Sequence, residues 1–422
     1  MGRAQGGFPD GPRYLSGNRY CFLAADAVVS MDRRRNPWLL LVALFLLVVG
    51  TNAFIIAPSS ITPLFVDAFG VDKAVIGDVV SAAFVGMIVV QIPGGYLIDR
   101  YDNRWLLVAG TACYGLVVLA IQFTGSFQVF LLLRAAGGVA IGFLYTAGAN
   151  VVGEVFAGDR RGLATGLYTA GPSASFGFAH LTSPPFAALF GPLRVFLLQA
   201  AVAFVGVALL WVGAGGSIRS GDMPTLGEYG RALGNPGVVL VAFSMGTVYS
   251  LYIFLNTWLP TYGVEQLSLS LAIAGVATAV VPLVGIVARP GGGWLSGYLG
   301  GRHRLVMGCG LLAGLLLMVL IPFAGSVAIF FVLIGGAAFC IQVGPGISYV
   351  LTRELAGAGT VGTSLTVLTT ISLVGSFFSP MLGGWLITQY SWRAAFVVFG
   401  AVGVAGIAFL VPVRWVESGS TT

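Results

Sequence analysis

Apolar stretches of about 20 residues alternate with short polar loops from Pro37 almost to the end of the chain, and a helix of that length crosses a bilayer. Twelve such stretches are predicted: 37–58, 75–98, 105–123, 127–156, 161–189, 192–214, 237–259, 269–296, 304–323, 326–350, 360–387 and 392–413. One long polar segment, 215–236, separates the sixth stretch from the seventh. The pattern therefore divides the chain into six plus six.

This division predicts an all-α membrane protein with twelve transmembrane helices in two pseudo-symmetric six-helix bundles. The predicted parts are a cytoplasmic tail 1–36, a first bundle 37–214, a central cytoplasmic loop 215–236, a second bundle 237–413 and a cytoplasmic tail 414–422. The leading tail is mixed and Gly-rich. We expect it to be disordered, or to be an over-long start with Met31 as the true initiator.

Composition supports a membrane protein. Of the 422 residues 57% are hydrophobic and 9% are charged, whereas soluble domains carry about 25% charge. The net charge of +6 comes from basic residues scattered through short loops, which is typical of a topology signal and not of a nucleic-acid surface. The cysteines have no metal-type spacing, and no cofactor or metal is expected.

The basic residues predict the orientation, because cytoplasmic loops are enriched in Arg and Lys. With the N-terminus inside, the cytoplasmic side holds 13 basic residues: Arg33, Arg34, Arg35, Arg100, Arg104, Arg160, Arg161, Arg219, Arg231, Arg302, Arg304, Arg353 and Arg414. The outside holds only three: Lys73, Arg194 and Arg393. We expect a plasma-membrane protein with both termini in the cytoplasm.

An internal repeat underlies the two bundles. Gly94-Gly95-Tyr96-Leu97-Ile98-Asp99-Arg100 and Gly292-Gly293-Trp294-Leu295-Ser296-Gly297-Tyr298 lie 198 residues apart, and each ends an apolar stretch before an Arg-containing loop. The same offset places Gly137-Gly138 on Gly335-Gly336. Such a duplication predicts two similar halves with a substrate site between them near the bilayer midplane.

Three motifs carry a resemblance to the major facilitator superfamily over residues 37–413. They are Gly95-Tyr96-Leu97-Ile98-Asp99-Arg100-Tyr101-Asp102-Asn103-Arg104, then Arg134-Ala135-Ala136-Gly137-Gly138-Val139-Ala140-Ile141-Gly142, and Asp159-Arg160-Arg161-Gly162-Leu163-Ala164-Thr165-Gly166. Asp102 stands where the family pattern has Gly, and Asn103 where it has a basic residue. The resemblance implies a secondary transporter that works by alternating access.

The resemblance also implies a gate on the cytoplasmic side. The predicted gating residues are Gly95, Asp99, Arg100, Arg104 and Arg289. A carboxylate at Asp99 can cap a neighbouring helix, and the arginines can pair with acids on the same face. The alternative is that these arginines only set topology. Arg289, which occupies the place of Gln91 in the first half, is either an anion contact or a side chain that snorkels toward headgroups.

Arg134 is the other arginine inside a predicted span, where holding a guanidinium costs roughly 2.5–3.5 kcal/mol. It shares a helical face with Gly138 and Tyr145. One hypothesis makes Arg134 an anion ligand in the cavity. The other has backbone carbonyls satisfy its guanidinium, so that it holds its helix to a neighbour.

Further polar residues are candidates for the cavity. With Arg134, the predicted substrate-binding set is Tyr145, Asn52, Asn150, Tyr249, Tyr252, Asn256 and Gln342, and the predicted proton-coupling set is His180, Asp78 and Glu154. A buried histidine can carry protons near neutral pH. For each residue the alternative is packing through hydrogen bonds between helices.

These features predict a secondary transporter, most simply a proton-coupled carrier of a small anion, since the mid-span charges are arginines. Its partners would be a small solute, protons and the bilayer, with no nucleic acid, and we expect a monomer. Trp258-Leu259-Pro260-Thr261-Tyr262, placed after the seventh helix, resembles the anion-symporter and cyanate-transporter branches. Nitrate porters carry an Arg in the second helix, and residues 74–98 of this chain contain no Arg.

Two alternatives stay open. One is a proton-coupled drug or metabolite efflux antiporter, and the other is a channel-like or sensory membrane protein. An ATP-driven pump is excluded because Lys73 does not follow Gly and no P-loop exists. The sequence has no His-Glu-x-x-His or Gly-x-Ser-x-Gly motif either, so no enzyme is predicted.

Overall fold

The structure is a computed structural model that describes residues 36–218, 226–357 and 359–413, together with Gly2. The side chains of Ile92, Asp99, Asp159 and Leu226 lie outside the described part. So do the predicted tails, apart from Gly2 and Asn36, and residues 219–225 of the predicted central loop. Helix is the only extended regular structure in the described ranges.

The helices of the first half (residues 37–213) are α1 Pro37–Ser60, α2 Thr62–Phe69, α3 Val75–Arg100, α4 Asn103–Gln122, α5 Phe127–Val155, α6 Asp159–Thr169, α7 Gly171–Phe190 and α8 Val195–Gly213. A short helix, α9 Leu226–Leu233, lies in the predicted central loop. The helices of the second half (residues 236–410) are α10 Pro236–Leu267, α11 Leu271–Tyr298, α12 His303–Leu320, α13 Val327–Leu355, α14 Val361–Gln389 and α15 Trp392–Leu410, with a 3₁₀ turn at Ile321–Phe323.

Ten helices in the described part are long and apolar enough to cross a membrane. Two predicted spans do not meet that standard by themselves. In α3 only Val75–Gln91 is an apolar run, and α7 is interrupted by polar residues and prolines. The predicted number of twelve therefore stays a prediction, while an integral membrane protein built of helices is established.

Proline and short polar side chains set the helix limits. Asn36 accepts a hydrogen bond from the Leu39 N–H, and Pro37 follows at the first helical position. The predicted fifth span, 161–189, is two helices because Pro172 has no N–H to continue α6 past Ala170. The Trp258-Leu259-Pro260-Thr261-Tyr262 motif was predicted to follow the seventh helix. It lies inside α10 instead, because that helix continues past Pro260 to Leu267.

The halves pack against each other with a twofold pattern. The second predicted span of each half contacts the fifth of the other, α3 against α14 and α11 against α7, and α1 contacts α10. We call the side where α1 begins at Pro37 the terminal face, and the side of Ser60, Lys73 and Glu265 the opposite face. The terminal face is the one predicted to be cytoplasmic.

Glycine allows the closest helix contacts. A Cβ at Gly138 of α5 would collide with the Ala83 carbonyl of α3, and one at Gly86 would collide with the Ala135 carbonyl. In the second half, a Cβ at Gly346 of α13 would lie 2.6 Å from the Arg289 carbonyl of α11. Lipid provides no hydrophobic drive between helices, so such backbone contact is a main source of their association.

Gly138→Val is expected to lower thermal stability, because overpacking of this kind costs about 1–3 kcal/mol. Gly297→Ala is the matched control, since Gly297 lies in α11 with nothing within 4 Å of an added Cβ. Thermal unfolding of the purified proteins in detergent measures both. A Gly138→Val protein as stable as the Gly297→Ala protein would contradict the packing argument.

Candidate functional site

Arg289 lies at the centre of the candidate site. It is about two thirds of the way along α11 toward the terminal face and is half-buried. Its Nη2 and Nε donate to Gln342 Oε1 of α13 at 3.0 and 3.3 Å. Gln342 is held in turn by donation from its Nε2 to the Val281 carbonyl, at 2.6 Å. Nη1 donates no hydrogen bond to any residue in the described ranges, so the guanidinium keeps donors for a ligand.

Aromatic side chains surround this guanidinium. Its carbon lies 5.7 Å from the centroid of the Tyr252 ring, within cation–π range. Tyr252 stacks on Phe176 of α7 with centroids 5.8 Å apart, and Tyr249 meets Tyr252 edge-on. Tyr145 of α5 also lies within electrostatic range of Arg289. The second half thus supplies the cation, and both halves supply the aromatic wall.

A cleft too narrow to hold a water molecule in this conformation lies against these groups. It is lined by Val248, Tyr249, Tyr252, Arg289, Gln342 and Pro345. Tyr349, seven residues after Gln342 on α13, is 37% exposed and lies nearer the terminal face. The chemistry available here is one positive charge, amide and phenol hydrogen-bonding groups, and flat apolar surface. These groups can donate hydrogen bonds to an anion and stack against a flat apolar group.

Arg134 is placed differently. It is fully buried in the first half, seven residues from the opposite end of α5. Nε and Nη2 donate to the carbonyls of Val79 and Ile55 at 3.0 and 2.7 Å, and Nη1 donates to the Phe54 carbonyl. The guanidinium also lies over the Phe54 ring, 4.3 Å from its centroid. This geometry favours the structural hypothesis, in which Arg134 ties α5 to α1 and α3.

The other predicted substrate residues are dispersed. Asn52 is buried and donates to the Val48 carbonyl of its own helix at 3.2 Å. Tyr145 stacks on Tyr168 with centroids 5.5 Å apart. Asn150 is half-buried near the terminal end of α5 and has an interaction of its own. Of the predicted set, only Tyr249, Tyr252 and Gln342 line the same cleft as Arg289.

His180 and Asn256 form a separate junction between the halves. His180 Nε2 is 3.2 Å from Asn256 Oδ1, and its Nδ1 is 2.7 Å from Ser60 Oγ. Asn256 Nδ2 donates to the Tyr252 carbonyl, which leaves Oδ1 to face the imidazole as an acceptor. Nε2 therefore carries the hydrogen, and Nδ1 accepts from the Ser60 hydroxyl.

The predicted acids lie away from this junction. Asp78 is half-buried in the first turn of α3, near the opposite face. Glu154 is exposed at the terminal end of α5. Their proposed part in proton coupling is untested, and His180 is the member of that set at the contact between the halves.

Hydrogen bonds between the halves join mid-depth and opposite-face residues within the described ranges. Ser59 donates to the Asn256 carbonyl at 3.2 Å, and Ser81 donates to the Phe377 carbonyl at 2.6 Å. Lys73 pairs with Glu265 at 2.7 Å. The halves are therefore closed on each other at the opposite face.

At the terminal face the predicted gating residues keep to their own half. Arg100 donates to Tyr96 one turn earlier, and Arg104 pairs with Asp102 at 2.7 Å. An added Cβ at Gly95 would have no neighbour within 4 Å. The Asp99 side chain lies outside the described part. The gating role of this cluster stays a prediction, and Arg289 belongs to the cavity.

Asp102 anchors the segment that follows α8. Its Oδ1 accepts from the N–H of Ile218 at 3.1 Å and from that of Arg104 at 3.1 Å, capping α4. Partial burial alone would raise the pKa of Asp102, but the hydrogen bonds from Arg104 and Ile218 outweigh it and hold that pKa below its ordinary 3.8. Asp102 is thus ionised at neutral pH. It stands where the family pattern has Gly, and its negative charge is paired with Arg104.

Two aromatic residues near the site and one ion pair at the opposite face were missed from the sequence. Phe176 and Tyr349 carry a periodic signal, since Phe176 is four residues before His180 and Tyr349 is seven after Gln342. The Lys73–Glu265 pair carries none, because 192 residues separate its members.

Comparisons with known proteins agree with this architecture. The model of a family described as the Major Facilitator Superfamily matches residues 40–376 and 301–421. The chain is 28% identical over 302 residues to a Mycobacterium tuberculosis protein named "Probable nitrate/nitrite transporter", covering 70% of this chain and 75% of that one. It is 26% identical over 403 residues to a Cupriavidus necator "Probable sulfoacetate transporter", covering 84% and 89%.

Two further similarities cover most of the chain. An Escherichia coli "Probable L-galactonate transporter" is 23% identical over 381 residues, covering 82% of this chain and 83% of that one. The solved structure of a bacterial homolog of the human lysosomal transporter Spinster, in an inward-facing and occupied conformation, aligns with a TM-score of 0.75. It is 16% identical and covers 89% of this chain and 96% of its own, so it shares the fold.

Arg134→Met is expected to reduce thermal stability by several degrees, because three hydrogen bonds from a charged donor are lost, each worth about 1.5–3 kcal/mol. Arg134→Lys should recover only part of this loss, since an ammonium cannot reproduce the planar fork. Thermal unfolding in detergent, with and without candidate anions, measures both effects. Wild-type stability of Arg134→Met together with a lost anion response would show instead that Arg134 is a ligand.

Proposed function

This chain belongs to the major facilitator superfamily of transporters, and from that premise we propose that it carries a small, singly charged anion by alternating access. The observation that carries the proposal is Arg289, a half-buried guanidinium that lines a narrow cleft and whose Nη1 has no acceptor among the described residues. Arg134, the other mid-depth cation in the described ranges, already has three carbonyl acceptors.

The charge balance at mid-depth supports an anion. Within the described side chains, no carboxylate lies at the level of Arg289: Glu265 is at the opposite face, and Glu154 and Glu354 are at the terminal face. A site for cationic drugs would need such a carboxylate to offset the cost of a buried positive charge. The names of the similar proteins refer to nitrate, sulfoacetate and galactonate, which are all anions; nitrate and galactonate carry one negative charge and sulfoacetate carries two.

A single guanidinium favours one negative charge. A bidentate pair between an arginine and a carboxylate neutralises both ions, and a second charge on the substrate would remain unpaired in a site of low dielectric. The position related to Arg289 by the repeat is Gln91, which is neutral. The proposal therefore favours monoanions over dianions.

Proton coupling through His180 is the second part of the proposal. The neutral imidazole accepts at Nδ1 from Ser60, and protonation there reverses that hydrogen bond without breaking it. Protonation also places a positive charge between α1, α7 and α10, where the described hydrogen-bonding partners are neutral. Such a charge changes the energy of the contact between the halves at the opposite face, which is where alternating access must open.

Arg289→Gln is expected to raise the KM for the transported anion at least 10-fold, because a hydrogen bond between charged groups contributes about 1.5–3 kcal/mol. Arg289→Lys keeps the charge and should lie between Arg289→Gln and wild type. Counterflow in proteoliposomes, over a panel of monoanions and dianions, gives the KM values and separates a carrier from a channel. Unchanged anion transport by Arg289→Gln would overturn the assignment of this site.

His180→Asn, which keeps hydrogen-bonding groups but cannot titrate near neutral pH, is expected to abolish uptake driven by a pH gradient. Counterflow at equal pH should persist, since exchange needs no net proton movement. Asn256→Asp is the comparison variant, because it adds a titratable group on the helix that faces His180. If the His180→Asn protein still showed uptake driven by a pH gradient at the wild-type rate, His180 would have no part in proton coupling. The proposal for Arg289 would not be affected.

A further inference from the structure

The side-chain amide of Gln342 is held in one orientation by hydrogen bonds at both of its ends. Gln342 is 1% exposed, and its Nε2 donates to the Val281 carbonyl of α11 at 2.6 Å. Its Oε1 accepts from Nε and Nη2 of Arg289 at 3.3 and 3.0 Å. An amide has one donating and one accepting end, so the Val281 carbonyl decides that the oxygen faces the guanidinium.

Gly285 of α11 provides the space in which this amide lies. A Cβ at Gly285 would collide with Gln342 Oε1 and would lie 2.7 Å from Nε2. These atoms are at the end of a flexible side chain, so an added methyl group would move the amide more easily than it would move the two helices. Any residue larger than glycine would therefore displace the amide from Val281 and Arg289.

The two halves place the larger residue of this pair on different helices. Met87 and Gly285 each lie seven residues before the paired glycines of the repeat, Gly94 and Gly292. Gly142 and Gln342 each lie fifteen residues after the start of their helices, α5 and α13. The pair is thus Met87 with Gly142 in the first half and Gly285 with Gln342 in the second half. Only the second half has a hydrogen-bonding side chain here.

Gln342 occupies one edge of the Arg289 guanidinium and leaves another. An arginine has five N–H donors, and two of them go to Gln342, so three remain: one on Nη2 and two on Nη1. These three have no acceptor among the residues that the structure describes. The ring of Tyr252, 5.7 Å from the guanidinium carbon, restrains the group further. The edge formed by Nη1 and Nη2 is therefore the one that a ligand can use.

The neutral charge of the amide matters as much as its position. A carboxylate at position 342 would pair with Arg289 and cancel the positive charge that attracts an anion. It would also turn an oxygen toward the Val281 carbonyl, which would lose its donor. An apolar side chain would keep the charge of Arg289 but would not orient it. Of these three kinds of side chain, only the amide orients the guanidinium without neutralising it.

We propose that Gln342 is a positioning residue that makes the Arg289 site selective for anions with two coplanar oxygens, such as a carboxylate or nitrate, over spherical anions such as chloride. A fixed edge of two parallel N–H bonds matches two coplanar oxygens, and a spherical ion gains nothing from that geometry. Gln342 acts through Arg289, and the inference rests on the proposed function, in which Arg289 binds the transported anion.

The test measures thermal unfolding of the purified full chain in detergent, titrated at constant ionic strength with sodium acetate, sodium nitrate or sodium chloride. Wild type is expected to bind the planar anions at least about 10-fold more tightly than chloride, which is the effect of one further hydrogen bond to a charged group. Gln342→Met, which is similar in length but has no amide, should lose that preference. It should keep the wild-type affinity for chloride, because the charge of Arg289 remains.

Gly285→Ala tests the positioning without removing either polar group. It is expected to lose the preference for planar anions as Gln342→Met does, because the added methyl group displaces the amide. Gly297→Ala is the matched control on the same helix, since an added Cβ there has no neighbour within 4 Å, and it should keep the preference. A purely structural role for Gln342 would instead weaken the binding of all three anions alike.

The outcomes separate this inference from the proposed function. An unchanged preference in Gln342→Met, or an equal loss for all three anions, would overturn the positioning role and leave Arg289 as the anion site. An unchanged preference in Gly285→Ala alone would overturn the part assigned to Gly285. Equal affinity of wild type for the three anions would overturn the selectivity. A wild-type protein that responds to none of them would overturn the proposed function as well.

Discussion

Direct contact between helix backbones is the constraint on which this structure depends. Lipid offers apolar surface as good as that of a neighbouring helix, so helices associate where their backbones come close enough for dispersion contacts and hydrogen bonds. Gly138 against Ala83 sets the distance between α3 and α5, and Gly346 against the Arg289 carbonyl sets that between α11 and α13. The second contact fixes the backbone of Arg289 directly, and Gln342, which pairs with its side chain, lies one turn earlier on the same α13. The packing of α11 against α13 therefore also fixes the position of the Arg289 guanidinium.

The two halves share a scaffold and differ in their charges. At the offset of 198 residues, Gln91 of the first half matches Arg289 of the second half, so the second copy is the more positive at this place. The change puts a guanidinium beside the cleft that Tyr249 and Tyr252 line. A duplicated fold fixes where side chains can go, while single substitutions in one copy decide what each place can bind.

Much of the fold follows from the sequence because apolar length and helix caps are local properties. Most predicted spans agree with the observed helices to within a few residues at each end, and the repeat is visible in how α3 meets α14 and α11 meets α7. The break at Ala170 was missed although Pro172 signals it, because residues 161–189 were interpreted as one span. The site was harder to predict. Arg134 and Arg289 look alike as mid-span arginines, and only the carbonyls of Phe54, Ile55 and Val79, from helices distant in sequence, separate a structural arginine from one that can bind a ligand.

The capture of Arg134 by those carbonyls has a consequence for how the chain is made. An unpaired arginine at the centre of a bilayer costs roughly 2.5–3.5 kcal/mol on insertion scales. Its acceptors belong to α1 and α3, which leave the ribosome before α5 does. When α5 moves sideways into lipid, the groups that satisfy its guanidinium are therefore already in the membrane. The order of helices along the chain thus lets Arg134 meet partners that were inserted earlier, and the first half can assemble as it is synthesised.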